Sequence, residues 1–210
     1  MGRMLGPACR RCRREGIKLM LKGHRCETAK CPMEKQWRNF PPGMHPYRRA
    51  KGTEYGKRLR EKQKVKRYYG VLEAQFRRVF DEAQRSTHNT GVALLLLLER
   101  RLDNVILKMN LAISRKAARQ AILHGHYQVN GRSVRRPSYI VRPGDRISVG
   151  GHEVSKKLVK SWFEADPNRP IQKWLRVDGE KLEGVVEALP SRDDVQIPVE
   201  ENLIVEFCSR

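Results

Sequence analysis

The stretch SRKAARQAILHGHYQVNGR, residues 114–132, carries three structural signals in succession. Ser114 is a good N-cap for a short helix through Leu123, because its side-chain oxygen can satisfy an orphan N–H of the first turn. Gly125 suits the left-handed position that ends such a helix. Residues 127–129, then Asn130-Gly131, then residues 132–134 read as a hairpin, since Asn-Gly accepts the positive φ values that a type I′ turn demands. Residues 139–141, the Pro143-Gly144-Asp145 turn and residues 146–149 add further short strands, so a small mixed domain is expected around the stretch.

Upstream, Leu95, Leu98, Leu102, Val105 and Met109 sit three or four residues apart, the stripe of an amphipathic helix able to connect two domains. Residues 54–69 are helical in composition, Gly70 interrupts, and residues 71–83 resume with Leu72, Phe76, Val79 and Phe80 on one face, which predicts two packed helices. Residues 1–50 have few periodic apolar positions, and Pro41-Pro42-Gly43 followed by Pro46 predicts an extended, loop-rich arm. Downstream, residues 156–163 read as helical and residues 174–177 with 183–186 as a hairpin. The short apolar segment 203–207 is able to dock on the first helices. No internal repeat is present. The expected class is α+β: an N-terminal arm over 1–50, a helical domain over 51–93 completed by 195–210, and a mixed domain over 94–194 that includes the C-terminal hairpin.

Charge narrows the function. Forty-four Lys and Arg against 23 Asp and Glu give a formal charge of +21 over 210 residues, the sign that phosphate backbones attract. Residues 1–67 carry +16, residues 68–163 carry +10 and residues 164–210 carry −5. The first two segments are therefore expected to face phosphates, and the acidic end solvent or a basic protein neighbour. The longest apolar run, residues 92–98, falls far short of the ~18 residues of a membrane span. The basic N-terminus lacks the apolar region of a signal peptide, which predicts a cytosol-like compartment where cysteines are thiols or metal ligands.

Cys9, Cys12, Cys26 and Cys31 form two close pairs separated by a short loop, the arrangement that lets four thiolates converge on one structural Zn2+. Arg10, Arg11, Arg13, Arg14 and Arg25 are expected to lower the thiol pKa values. An arm with no core of its own can gain its fold from ligation, worth on the order of 10 kcal/mol. The alternative is a set of reduced thiols; His24 is a substitute ligand for Cys26, and Cys208 reads as a packed core thiol. Four Cys leave no open position for a catalytic zinc.

Arg115, Lys116, Arg119 and His124 cluster on or beside one short helix, and Arg132, Arg135 and Arg136 extend the charge over the hairpin. Positions 115 and 119 lie one turn apart, so two guanidinium groups are expected to grip neighbouring phosphates while Ala118, Ala121 and Ile122 turn inward. Any single one of these charges is equally readable as a solvated surface residue.

Arg101-Leu102-Asp103-Asn104, Ser114-Arg115 with Ala118-Arg119-Gln120, His124-Gly125-His126, Val129-Asn130-Gly131 and Gly144-Asp145 together resemble the S4 RNA-binding domain. That domain also occurs in pseudouridine synthases, some tyrosyl-tRNA synthetases and heat-shock ribosome-binding proteins. The flanks Leu5-Gly6-Pro7, Arg13-Arg14-Glu15-Gly16, Leu59-Arg60-Glu61-Lys62-Gln63-Lys64, Tyr69-Gly70 and Glu206-Phe207-Cys208-Ser209-Arg210 resemble the bacterial ribosomal S4 family over essentially the whole chain, and the arm its zinc-bearing subset. The resemblance implies a structural protein, not an enzyme, bound to the 5′ domain of 16S rRNA early in assembly, in contact with ribosomal protein S5 and near the channel by which mRNA enters.

The residues expected to meet rRNA are Arg3, Arg10, Arg11, Arg13 and Arg14 of the arm; Lys57, Arg58, Arg60, Lys62, Lys64, Lys66 and Arg67 of the first long helix; and Arg115, Lys116, Arg119, Gln120, His124, His126, Asn130 and Arg132. By the same resemblance Arg48, Arg49 and Lys51 line the mRNA channel, and Glu200, Glu201 and Glu206 meet S5, an interface whose opening would affect translational accuracy. Two positions depart from the family pattern, the Pro42-Gly43-Met44-His45-Pro46 segment and Cys208. Two other readings remain open at this point. Arg101-Leu102-Asp103 matches the catalytic motif of pseudouridine synthases, although Asn104-Val105-Ile106 follows it and no room remains for a catalytic domain. A free RNA chaperone or recycling factor would share the S4 domain, although the long basic arm speaks against it.

Overall fold

A computed structural model of the chain describes residues 4–45, 52–87, 89–166 and 169–209. Two compact units result, one from Met1–Leu95 with Gln196–Arg210, the other Leu96–Val195. Arg3, Arg48, Arg49 and Lys51 lie outside the described residues.

The first unit opens on a helix, α1 (Ala8–Glu15), where an extended arm was expected. Ala8 and Cys12, one turn apart, are buried with Leu19 and Leu21, a pattern too sparse to register as periodicity. Gly16, at φ 71°, ends the helix in the left-handed conformation that glycine adopts without strain. Glu15, whose side chain is 1% exposed, pairs with Arg67 and lies 3.4 Å from Arg60 of the next helix, α2 (Glu54–Tyr68). Burial pushes the Glu15 carboxyl up while the two guanidinium groups pull it down. The cysteine-bearing segment is thus tied to α2 by one carboxylate.

Thr53 caps α2 by accepting the Gly56 N–H at 3.1 Å. Gly70 then turns the chain, at φ 67°, into α3 (Glu73–Gln84). Phe76, Phe80 and Ala83 follow a helical period and are buried with Val65, Tyr68 and Tyr69. Leu72, expected on that face, occupies the N-cap position and stays exposed. A fourth helix, α4 (Thr90–Glu99), carries the boundary between the units.

The second unit begins with a break. The stripe from Leu95 to Met109 was expected to be one helix, but Arg101 is extended (φ −68°, ψ 137°) and α5 starts afresh at Leu102–Lys108. The cause is non-local: Leu102 N–H donates to Tyr139 O at 2.8 Å, Val141 N–H donates to Arg100 O at 2.9 Å, and Arg101 bridges Ile140. Residues 139–141, expected as a strand, contribute only that bridge. Ser114 caps α6 (Arg115–Leu123) by accepting the Ala117 N–H at 3.2 Å, and Gly125 follows at φ 79°. Asn130 and Gly131 take φ 51° and 77° between β1 (Tyr127–Val129) and β2 (Arg132–Ser133), as the hairpin requires. After β3 (Arg146–Val149) come α7 (Glu153–Glu164), β4 (Leu175–Asp178) and β5 (Glu183–Val186). The strands form one antiparallel sheet ordered β2-β1-β3-β5-β4. Leu102, Val105, Ile106 and Met109 of α5 pack with Ala118 and Ile122 of α6 and with Tyr127, Ile147 and Trp174 to form the core.

In the first unit the chain ends in α8 (Glu201–Cys208), which packs along α2. Tyr55 and Phe207 bring ring centroids to 5.3 Å, and Arg58 Nε meets Glu206 at 2.5 Å. A Cβ added to Gly91, at the start of α4, would lie 2.5 Å from Glu201 Cβ. Helix propensity favours alanine over glycine by about 1 kcal/mol. The close approach reverses that sign: Gly91→Ala should destabilise by about 1–3 kcal/mol. Thermal unfolding checks this, and an unchanged or raised midpoint would contradict the packing described.

Candidate nucleic-acid interface

Charge in the second unit is divided between a sealed network and an open face. Arg101 grips Asp103 bidentately, Nε to Oδ1 at 3.1 Å and Nη2 to Oδ2 at 2.7 Å, with both residues buried. Arg119 approaches the same carboxylate at 3.6 Å. Beside this group, Asn104 donates to Glu99 through O at 3.0 Å and Oε2 at 2.5 Å, and accepts from Arg115 Nε at 2.8 Å. Burial pushes the Lys108 ammonium down to about 8, with Glu99 pulling the other way. Burial also lowers Arg119, again against its carboxylate partner. Asp103 is therefore a structural ion pair, inaccessible to a uridine.

This placement corrects the expectation for Arg115 and Arg119. Arg115 shares the core stripe with Ala118 and Ile122, at i, i+3 and i+7, and is 9% exposed. Arg119 is half-buried against Asp103. Neither is presented as a free fork to a phosphate. The outward stripe of α6 is instead Lys116, Gln120 and His124, each exposed and one turn apart.

Arg132, Arg135, Arg136, Arg142 and Arg146 are also exposed, carried on or after the hairpin. Gln120 Nε2 and His124 Nε2 stand 2.7 Å apart. His126 is turned to α7, its Nδ1 2.8 Å from Ser155 Oγ. Asn130 is occupied structurally: its Nδ2 donates to Asp145 Oδ1 at 2.8 Å, and its Oδ1 accepts the Arg146 N–H at 2.9 Å. This clamp locks the hairpin to the Pro143-Gly144-Asp145 turn and aims Arg132 outward. Arg101, Asp103 and Asn104 belong to the motif singled out in the sequence, and Asp103 forms a buried ion pair. Glu99 and Lys108, which join them in the buried polar group, were missed.

The first unit engages many of its expected RNA contacts within the chain. Arg11 donates to Leu5 O, Arg13 Nε to Phe40 O at 2.7 Å, and Arg14 Nη2 to Pro42 O at 3.3 Å. Lys57 pairs with Glu54 at 2.7 Å, Lys64 with Glu61 at 2.5 Å, and Arg60 and Arg67 with Glu15. Lys62, 5% exposed, pairs with Glu73 and lies 4.9 Å over the Phe207 ring. Burial pushes the Glu73 carboxyl up, but hydrogen bonds from Lys62 and Lys66 outweigh it and hold the group down at about 2. Arg10 is exposed on α1.

Cys9, Cys12, Cys26 and Cys31 line a single pocket with Ala8, Leu21 and Met33. Lys22 N–H donates to Cys26 Sγ at 3.3 Å. Among the described residues no group of three or more His, Cys, Asp or Glu is disposed as a metal-ligand set. Burial pushes the Cys12 and Cys26 thiols up rather than down, outweighing the backbone hydrogen bonds at Leu19 and Lys22 that pull them the other way. In α8, Glu206 is taken by Arg58, Glu201 packs near Gly91, and Glu200 is exposed.

A basic face on a helix pair and an antiparallel sheet is the kind of surface that meets folded RNA. Residues 3–99 match the family model for the ribosomal protein S4/S9 N-terminal domain, and residues 100–147 that for the S4 domain. Over 210 residues, covering the whole of both chains, the sequence is 55% identical to small ribosomal subunit protein uS4 of Halothermothrix orenii and 52% identical to uS4A of Symbiobacterium thermophilum. It is 49% identical over 211 residues, again whole chain to whole chain, to uS4 of Thermus thermophilus. The chain belongs to the bacterial uS4 family of ribosomal proteins, a structural and non-enzymatic family. No helix among the described residues is long and apolar enough to cross a membrane.

Arg115→Ala, which leaves the buried Asn104 Oδ1 without its guanidinium donor, should cost about 1–3 kcal/mol. Arg132→Ala should stay within about 0.5 kcal/mol, as exposed substitutions do. Denaturant unfolding of the two variants checks the partition; equal effects would contradict it.

Proposed function

We propose that the protein is an rRNA-binding structural component of the cytoplasmic small (30S) ribosomal subunit, holding the 5′ domain of 16S rRNA early in assembly. The observation that carries this reading is the whole-chain likeness to uS4 proteins. The segregation of charge supports it: a sealed ionic core fixes α6, leaving Lys116, Gln120, His124, Arg132, Arg135 and Arg136 as the surface that meets phosphates and 2′-hydroxyls. Contacts of this kind position folded RNA without reading its sequence.

Four further assignments belong to the same reading. Cys9, Cys12, Cys26 and Cys31 hold one structural zinc; the convergence of four soft donors on one pocket and the backbone N–H bonded to Cys26 Sγ support it. Bound there, the metal supplies a crosslink between α1 and the turns after it. Arg48, Arg49 and Lys51 grip mRNA phosphates as the strand enters the subunit. Glu200 and Glu201 meet ribosomal protein S5, with Glu206 already neutralised by Arg58. Weakening that contact alters translational accuracy.

A nuclease footprint on naked 16S rRNA tests the central reading: protection is expected within the 5′ domain, and protection elsewhere or none would overturn it. Affinity should fall steeply with salt, and Arg132→Ala or Arg136→Ala should flatten the slope by roughly 0.7–0.9 per lost phosphate contact. Elemental analysis of protein purified under reducing conditions without chelator should return one zinc per chain, and its absence would remove the metal assignment alone.

A further inference from the structure

Trp37 is not among the residues that line the thiol pocket. It is 69% exposed, whereas Trp174 is 3% exposed and Trp162 packs against the core of the second unit. Its backbone is fixed on both sides. Arg38 N–H donates to Lys35 O at 2.9 Å and closes a turn around it, Lys18 pairs with Glu34 before the turn, and Arg13 Nε donates to Phe40 O after it.

That turn carries two cations to the ring, Lys35 Nζ at 5.4 Å and Arg38 Cζ at 5.9 Å from its centroid. Both stand near the outer limit, about 6 Å, of cation–π contact, so neither closes the ring off. Residues 4–45 hold ten Lys and Arg against three Glu. A large ring left in water costs hydrophobic free energy that a covering partner recovers, and a closed turn brings its backbone already ordered to the partner. The partner must offer a flat π face and negative charge on either side. An unpaired nucleotide offers both in one unit, because every base has a stacking face and a phosphate on each flank.

We propose that Trp37 is a stacking platform for an unpaired RNA base, with Lys35 and Arg38 taking the adjoining phosphates. The proposal deepens the RNA-binding reading and rests on it. The test uses the full chain with two probes at one salt concentration, a single-stranded oligouridine of about eight nucleotides and an RNA duplex of like length. Oligouridine should quench the tryptophan emission of the unaltered protein and leave that of Trp37→Phe unquenched. Trp37→Leu should weaken oligouridine binding by about 5- to 100-fold while Trp37→Phe stays within about threefold, the contrast expected of one base on one aromatic ring. Duplex binding should be equal in all three proteins. Oligouridine affinity unaltered by Trp37→Leu would overturn the proposal and leave the ring to a protein neighbour; an equal loss on duplex would overturn it too. Failure of the unaltered protein to bind either probe would sink the RNA-binding reading beneath it.

Discussion

The Asp103 carboxylate, held bidentately by Arg101 and approached by Arg119, is the contact on which the second unit depends. Its two arginines come from different segments: Arg101 from the break before α5, Arg119 from the middle of α6. One buried anion therefore sets both where α5 begins and how α6 is rolled. The neighbouring chain of Glu99, Asn104 and Arg115 fixes the same roll a second time. Charges so buried are costly unless fully paired. Among the described residues, no buried side-chain nitrogen or oxygen lacks a partner, which is the condition under which such a core holds.

The roll of α6 decides which cations reach a partner. Although the chain carries +21, many of its arginines are bound to carbonyls or carboxylates of the chain itself. In the second unit Lys116 of α6 and Arg132, Arg135 and Arg136 on and after the hairpin remain outward, and the Asn130–Asp145 clamp holds the hairpin in place. Rigid presentation matters because a positioned cation loses less entropy on meeting a phosphate than a floppy one does. Glu15 serves the first unit similarly, docking the cysteine-bearing segment on α2 with a single anion.

Elements specified by neighbouring residues were legible. The Asn130-Gly131 hairpin, the Ser114 cap and the turn at Gly70 were each read from local chemistry and occur where read. The break at Arg101 was not, because the groups that claim its flanking backbone lie at residues 139–141. α1 was hidden by its few apolar positions, which offered no helical stripe to read. Arg115 was readable in principle: it repeats with Ala118 and Ile122 at core spacing, but its charge drew it to the surface in a reading led by composition. What a guanidinium does depends on what it meets, and Asn104 and Asp103 cannot be placed beside α6 from spacing alone.

The most direct test of this account is the equilibrium unfolding of Asp103→Asn, a nearly isosteric change that removes the anion and leaves two arginines facing an amide. If the carboxylate fixes α5 and α6 together, the second unit loses about 3–5 kcal/mol, the range for breaking a buried ion pair from one side. A loss below about 0.5 kcal/mol, the scale of a neutral surface change, would show that the helices are held by apolar packing alone and would contradict the account.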